Sequence, residues 1–157
     1  MIRTYGLHWH LSKIYWGQQG AGHAGSLLGA ASRSPQARPV EFRDQSGIYA
    51  LYADYDLVYI GQTGAGDQRL FARLKQHTLD HLAERWDRFS WFGTRRVTQA
   101  HELAADNQGV HVNMPVALNI LEAVCIAVSE PRLNLQRGRW GEATQYFQID
   151  AAARNEI

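Results

Sequence analysis

The sharpest hydrophobic pattern in the chain lies between residues 47 and 63. The runs GIYALYA and LVYIGQT are rich in β-branched and aromatic residues, which favour strands. Between them stands Asp54-Tyr55-Asp56, a polar stretch typical of a short turn. The pattern therefore predicts an antiparallel β-hairpin.

A helix and a further strand are predicted after the hairpin. Asp67 is a candidate N-cap for a helix over residues 68–85. Apolar residues recur at helical spacing along it, namely Leu70, Phe71, Leu74 and Leu82. The run RFSWFGTRRV, residues 88–97, predicts the third strand of the sheet.

The most apolar segment of the chain follows Asn113. Met114-Pro115 is typical of a helix start, and Glu130-Pro131 ends the helical pattern. Because apolar residues lie on almost every side of this helix, we expect it to be largely buried. Three strands and two helices indicate an α+β domain.

The chain length allows one compact domain with its own core. Residues 1–42 are glycine-rich and basic, and we interpret them as an N-terminal extension. Residues 43–137 carry the predicted domain, and residues 138–157 form a tail that we expect to pack on it. The single cysteine excludes an internal disulfide, and no run is apolar enough for a membrane span or a signal peptide, so we expect a cytoplasmic protein without a membrane partner.

The net charge of +1 conceals basic segments. Residues 1–40 contain four bases and no acid, and residues 69–96 contain seven bases and three acids. Fourteen of the sixteen bases are arginine, which suits bidentate contacts with phosphate. The candidate nucleic-acid contacts are Arg69, Lys75, Arg95, Arg96 and Arg137. Ordinary solvated faces are the alternative interpretation.

Glu122 stands inside the apolar run ILEAVCI of the second helix. A buried carboxylate is costly unless it is neutral, paired with a base or bound to a cation. Glu122 is therefore a candidate metal ligand or catalytic group, and a structural ion pair or an exposed position is the alternative.

Two further features are candidates for phosphate chemistry. Arg69, Arg73, His77 and His81 recur every four residues along one helix stripe, where an anion would relieve their mutual repulsion. Tyr49 and Tyr59 lie on adjacent predicted strands, and their hydroxyls can face the same side. The alternatives are a helix face exposed to solvent, and tyrosines that favour strands and expose only their hydroxyls to water.

These separate features match a family pattern. Gly47-Ile48-Tyr49 and Tyr59-Ile60-Gly61 resemble the two half-motifs of the GIY-YIG nuclease superfamily. Downstream, Arg73 and His77 are similar to its Arg-x-x-x-His helix, Glu122 to its metal-ligand glutamate, and Pro131-Arg-Leu-Asn134 to its closing Pro-x-x-Asn. The resemblance covers roughly residues 46–136 and excludes the extension and the tail.

The resemblance implies a small three-stranded antiparallel sheet flanked by helices, and an endonuclease that hydrolyses DNA. It implies one Mg²⁺ or Mn²⁺ ion on Glu122, with Arg73 binding a non-bridging phosphate oxygen and Arg69 as the alternative arginine. Tyr49 is the candidate general base or water-positioning group, which requires its pKa to fall towards neutrality. Three residues are expected to assist: Tyr59 orients the phosphate, His77 bonds a tyrosine or relays a proton, and Asn134 braces Glu122.

Two other functions compete with DNA cleavage. The first is a non-catalytic nucleic-acid binding module that acts with a partner which cuts. The second is an RNA-directed nuclease, which the residues do not separate from a DNA enzyme. No DNA-targeting module is visible in the chain, which favours a stand-alone defence, restriction or repair nuclease or a subunit guided by a targeting partner protein. The basic residues 1–40 are candidates either to clamp the substrate or to make a homodimer contact.

Overall fold

The computed structural model describes residues 2–19, 24–63, 68–105, 114–129, 138 and 140–155. Its strands are β1 (Thr4–His10), β2 (Leu28–Ala30), β3 (Val40–Glu41), β4 (Gly47–Ala53), β5 (Asp56–Gln62), β6 (Arg88–Gly93), β7 (Thr144–Gln145) and β8 (Phe147–Gln148). Its helices are α1 (Leu70–His77), α2 (Met114–Ser129) and α3 (Ala151–Arg154), with a 3₁₀ turn at Leu11–Lys13. The predicted α+β class is confirmed.

The predicted hairpin is confirmed and forms one side of the main sheet. β4 and β5 pair antiparallel, with Tyr49 opposite Gly61 and Leu51 opposite Tyr59. β6 lies on the other side of β4, also antiparallel, and places Trp91 opposite Tyr49. The third predicted strand is thus present, but it ends at Gly93 and not at residue 97.

The main sheet has five strands, in the order β5-β4-β6-β1-β7, and not the expected three. β1 comes from the predicted extension and pairs antiparallel with β6, while β7 comes from the tail and pairs parallel with β1. The register of β1 shifts between Gly6 and Trp9, and His8 has a positive φ of 50°. This bulge breaks the two-residue alternation that identifies a strand in the sequence.

A second, three-stranded sheet has the order β3-β2-β8. It joins two strands of residues 1–42 to one strand of the tail. Leu27, Val40, Phe42 and Tyr146 from these segments belong to the same buried cluster as Tyr49. The N-terminal segment and the tail therefore contribute directly to the core that supports the candidate site.

Helix α1 covers one face of the main sheet and is shorter than the predicted 68–85 helix. Its buried residues are Leu70, Phe71, Leu74 and His77. Asp67 lies outside the described residues, and the residue before the helix is Arg69, which provides no side-chain cap. Instead, the backbone carbonyls of Gln45 and Arg43 accept the first two helical N–H groups.

The chain leaves the helix after His77 because side chains compete for its backbone. The Thr78 hydroxyl donates to the Lys75 carbonyl, and Asp80 accepts hydrogen bonds from the Leu82 N–H and from the His77 ring. Short polar side chains that bond the local backbone in this way favour turns over helix continuation. A series of turns therefore replaces the rest of the predicted helix.

Helix α2 covers the opposite face of the sheet. Its start and end agree with the prediction, but the expectation that it is largely buried is wrong. Its buried residues are Ile120, Ala123 and Val128, while Met114, Leu118 and Leu121 are more than half exposed. No helix within the described ranges is long and apolar enough to cross a membrane.

Candidate active site

The two motif tyrosines lie side by side on the face covered by α1. Adjacent residues of a strand point to opposite faces, and opposed residues of an antiparallel pair point to the same one. Tyr49 and Leu51 therefore share a face with Tyr59, and the two tyrosine rings lie 6.2 Å apart between centroids. Tyr49 is fully buried, whereas Tyr59 is partly exposed.

Both motif glycines stand where neighbouring atoms leave no room for a side chain. A Cβ atom at Gly61 would overlap the Tyr49 hydroxyl, so a side chain there displaces the ring. At Gly47, φ is +149° and a Cβ atom would overlap the carbonyl oxygen of Phe92 on β6. Gly61 therefore leaves room for the tyrosine ring, and Gly47 allows β4 to approach β6 closely.

His77 connects helix α1 to Tyr49. Its Nε2 lies 2.7 Å from the Tyr49 hydroxyl, and its ring centroid lies 4.9 Å from that of Tyr59. The imidazole is only 3% exposed. The Trp86 indole N–H donates to the His77 backbone carbonyl at 3.1 Å, which holds the last turn of the helix in place.

Asp80 bonds the other nitrogen of the His77 ring. The distance from His77 Nδ1 to Asp80 Oδ2 is 2.7 Å, and Asp80 Oδ1 accepts the Leu82 N–H at 2.8 Å. Partial burial opposes ionisation of Asp80, but the hydrogen bonds from Leu82 and His77 and the nearby charge of His81 prevail, and the pKa of Asp80 falls below its usual value. Asp80 is therefore ionised at neutral pH.

Arg73 also approaches the Tyr49 hydroxyl. Its positive charge lies close enough to act on Tyr49, and its Nη1 donates to the Gln76 amide oxygen at 2.8 Å. The Arg73 Nε is buried without a hydrogen-bond partner among the described residues. An enclosed, unsatisfied guanidinium donor favours an anionic ligand beside Tyr49.

The expected acidity of Tyr49 is wrong. Burial raises the pKa of Tyr49 above its ordinary value of 10, and the hydrogen bond and charge of Arg73 oppose this only in part. The neighbouring Tyr59 raises the pKa further. A stored phenolate is therefore disfavoured at neutral pH, because desolvation penalises the charged form.

Glu122 does not join this cluster, and the structure agrees with the alternative that it occupies an exposed position. It is exposed on α2, which packs through Ile120 and Val128 against Ala50 and Tyr52, the face opposite Tyr49. Within the described part of the chain Glu122 makes no hydrogen bond or ion pair. The carboxylate is thus accessible to a hydrated cation, but it does not share a surface with the tyrosines.

Other predicted residues lie in varied settings. Asn134 and Arg137 fall outside the described residues. Lys75 and Arg96 are exposed and available for phosphate, whereas Arg95 braces two loops by donating to the carbonyls of Ala104 and Asp44. In the described ranges, no group of three His, Cys, Asp or Glu side chains is placed to hold a metal ion.

No protein-family model, curated protein or solved structure matches this chain. The resemblance to the GIY-YIG pattern therefore depends on the motif residues and on their arrangement in space.

One residue of the cluster was missed in the sequence. Asp80 stands three positions after His77, a spacing that places two side chains on the same side of a helix or helical turn. The signal was therefore present in the sequence. The structure shows the role of Asp80, because Tyr49 bonds one ring nitrogen of His77 and Asp80 bonds the other.

Proposed function

We propose that this protein is a metal-dependent endonuclease of the GIY-YIG type that hydrolyses phosphodiester bonds in DNA, acting in the cytoplasm. The observation that carries the proposal is the contact between three motif elements. Tyr49 from the first half-motif, Tyr59 from the second and His77 from the helix lie within 4.9–6.2 Å of one another between ring centroids. Arg73 adds a positive charge at the same hydroxyl.

The cluster has the groups that phosphate hydrolysis needs. A water must lose a proton as it attacks, and the growing negative charge on the phosphate oxygens must be neutralised. Arg73 is only partly buried, so its guanidinium can donate to a non-bridging oxygen from the accessible side. Tyr59 is partly exposed and can orient the phosphate at the rim of the site.

Tyr49 and His77 are proposed to position the water and remove its proton. Because the pKa of Tyr49 is raised, the tyrosine cannot act as a stored base and must pass its own proton on. His77 Nε2, at 2.7 Å, is the acceptor within reach. Tyr49 therefore accepts a proton from water only as it donates its own to His77.

A divalent ion, Mg²⁺ or Mn²⁺, is part of the proposal, with Glu122 as its protein ligand. The carboxylate is exposed and has no partner among the described residues, which suits an ion that keeps most of its waters. Such an ion neutralises charge on a phosphate only where it reaches that phosphate, and Glu122 lies on the face of the sheet opposite Tyr49. The steps described above use only Tyr49, His77 and Arg73, since Glu122 lies on the opposite face of the sheet.

The test is a cleavage assay with duplex DNA, single-stranded DNA and RNA, each with Mg²⁺, Mn²⁺ or EDTA. Wild type is expected to cut DNA with a metal and not with EDTA. Tyr49→Phe and Arg73→Ala should each lower the rate on the order of 10²-fold or more. Cleavage of RNA alone would replace DNA with RNA as the substrate, and nucleic-acid binding without cleavage would favour a binding module.

Each variant has a matched control in the chain. Tyr52→Phe removes a buried hydroxyl from the same strand on the opposite face, where it donates to the Val128 carbonyl. Arg85→Ala removes an exposed arginine just beyond α1. Glu122→Ala is compared with Glu142→Ala, another exposed acid. Equal cleavage by Tyr49→Phe and Tyr52→Phe would overturn the site, and unchanged metal dependence in Glu122→Ala would remove that ligand.

A further inference from the structure

Three polar side chains form a continuous hydrogen-bonded row through the candidate site. The Tyr49 hydroxyl lies 2.7 Å from His77 Nε2, and His77 Nδ1 lies 2.7 Å from Asp80 Oδ2. Tyr49 and His77 are enclosed, while the Asp80 side chain is 24% exposed at the outer end of the row. Both nitrogens of a buried imidazole are thus engaged.

The ionisation of Asp80 decides which ring nitrogen carries the proton. A carboxylate can only accept hydrogen bonds, so His77 Nδ1 must donate to it. In a neutral imidazole the other nitrogen then has a free lone pair. When His77 is neutral, Nε2 is therefore an acceptor, and the Tyr49 O–H donates to it.

We propose that Asp80 is a positioning residue of the catalytic cluster: it holds His77 in the Nδ1-protonated tautomer, so that Nε2 can take the proton of Tyr49. This inference rests on the proposed nuclease function. The same logic orients a histidine by a carboxylate in serine hydrolases, where loss of the carboxylate leaves the wrong tautomer. Here the group beyond the histidine is a phenol.

The proton and bond changes balance without a further reagent. Water transfers a proton to the Tyr49 oxygen as Tyr49 transfers its own to His77 Nε2. The water oxygen forms the new bond to phosphorus, and the bond from phosphorus to the leaving oxygen breaks. The proton held on His77 returns through Tyr49 to solvent, and the leaving oxygen takes one from solvent. Asp80 remains ionised throughout and faces the transient imidazolium.

The groups around His77 are consistent with this assignment. Tyr49 approaches from β4, Tyr59 from β5 and Arg73 from its own helix, while Asp80 and His81 approach from the turn that follows. Among these, Asp80 is the only acid, so it is the group that can stabilise a positive charge on the ring. Arg73 and His81 would oppose such a charge.

Asp80→Asn is the decisive variant, because it changes the proton pattern and little else. Its amide oxygen can still accept the Leu82 N–H, whereas its NH₂ group would donate to His77 Nδ1 and favour the opposite tautomer. Asp87→Asn is the matched control, since Asp87 is exposed and accepts the Asp54 N–H away from the cluster. Thermal unfolding of both variants verifies that each is folded.

The first readout is the tautomer of His77, measured by nitrogen NMR on the full-length protein at neutral to mildly basic pH. The chain has seven histidines, and His77→Gln assigns the signal. Wild type and Asp87→Asn should show Nδ1–H, and Asp80→Asn should show Nε2–H. An Nε2–H ring in wild type, or an unchanged tautomer in Asp80→Asn, would overturn the proposal.

The second readout is kinetic. Asp80→Asn should lower kcat on the order of 10²-fold or more with KM unchanged within about twofold, because Asp80 acts only through His77 and does not itself bind the phosphate in the proposed site. Full kcat in Asp80→Asn would refute the positioning role while the nuclease function stands. Absence of cleavage by wild type would refute the nuclease function, and the tautomer result would then decide the role of Asp80 alone.

Discussion

Helices α1 and α2 pack on opposite faces of the same sheet. The less hydrophobic helix, α1, has the larger share of buried residues. The eight residues of α1 include lysine, arginine and histidine, yet four of the eight are buried. The sixteen residues of α2 are almost all apolar, yet three are buried. Hydrophobicity alone therefore does not determine how deeply a helix sits.

The difference follows from what each helix meets. α1 lies over Trp9, Phe89 and Trp91, together with the second sheet, so its narrow apolar stripe is fully enclosed. α2 lies over a smaller cluster around Phe92 and Trp140, which cannot enclose a helix that is apolar on every side. The α1 face can therefore hold a polar site such as His77 in a defined geometry.

The largest expected effect tests this contrast directly. Leu74→Ala on α1 should lower the free energy of unfolding by about 2–5 kcal/mol, because Leu74 is fully buried and a cavity remains. Leu121→Ala on α2 should change it by no more than about 0.5 kcal/mol, since Leu121 is 52% exposed. Urea unfolding measures the free energy of unfolding of both variants. Equal losses would contradict the difference in burial between α1 and α2.

The next effect concerns the packing that encloses Tyr49. Gly61→Ala should cost about 1–3 kcal/mol of stability, because the added methyl overlaps the Tyr49 hydroxyl. Cleavage should fall with it, since the ring is displaced from His77. Ile60→Ala, at the adjacent exposed position, is the control and should leave cleavage intact. A fully active Gly61→Ala enzyme would contradict the proposed place of the ring.

A smaller effect compares the two faces of β4. Tyr49→Phe and Tyr52→Phe each remove one buried hydrogen bond and should each cost about 0.5–1.5 kcal/mol by chemical denaturation. Only the first is expected to affect cleavage. Unaltered stability of Tyr49→Phe would mean that its hydroxyl does not bond His77.

The smallest effect is the pH dependence due to Asp80. The pKa of Asp80 is lowered in the folded protein, so its ionised form contributes stability that is fully present above about pH 4 and is lost as the pH falls through the lowered value. The difference in unfolding free energy between wild type and Asp80→Asn should therefore shrink below pH 4. A difference that grows on acidification would have the wrong sign.

Local patterns predicted the elements that later surround the site. The bounds of β4 and α2 agree with the sequence interpretation. Strand propensity and the prolines that limit an apolar helix are local signals, which can be recognised from a few neighbouring residues. β1 was missed because a bulge at Gly6 to Trp9 disrupts its alternation. β7 and β8 have two residues each, and pairing over more than a hundred residues defines them.

The same difference between local signals and contacts of distant segments applies to the candidate site. Tyr49, Tyr59, Arg73 and His77 were identified from motif spacing, which a hairpin and one helix translate directly into proximity. The sequence left the burial of Glu122 open, because the burial of one side of a helix depends on what packs against it, and the apolar run around Glu122 does not specify that. The raised pKa of Tyr49 was likewise unforeseen, since desolvation depends on neighbours distant in the chain.

The sequence by itself determined the hairpin, the α1 stripe and the residue types available for phosphate chemistry, because these depend on neighbours within a few positions. Only the tertiary structure decided that α1 is enclosed and α2 exposed, that the N-terminal segment and the tail join the sheets, and that Asp80 completes the row through His77 to Tyr49. Burial and desolvation are properties of surfaces that meet, and those surfaces come from segments far apart in the chain.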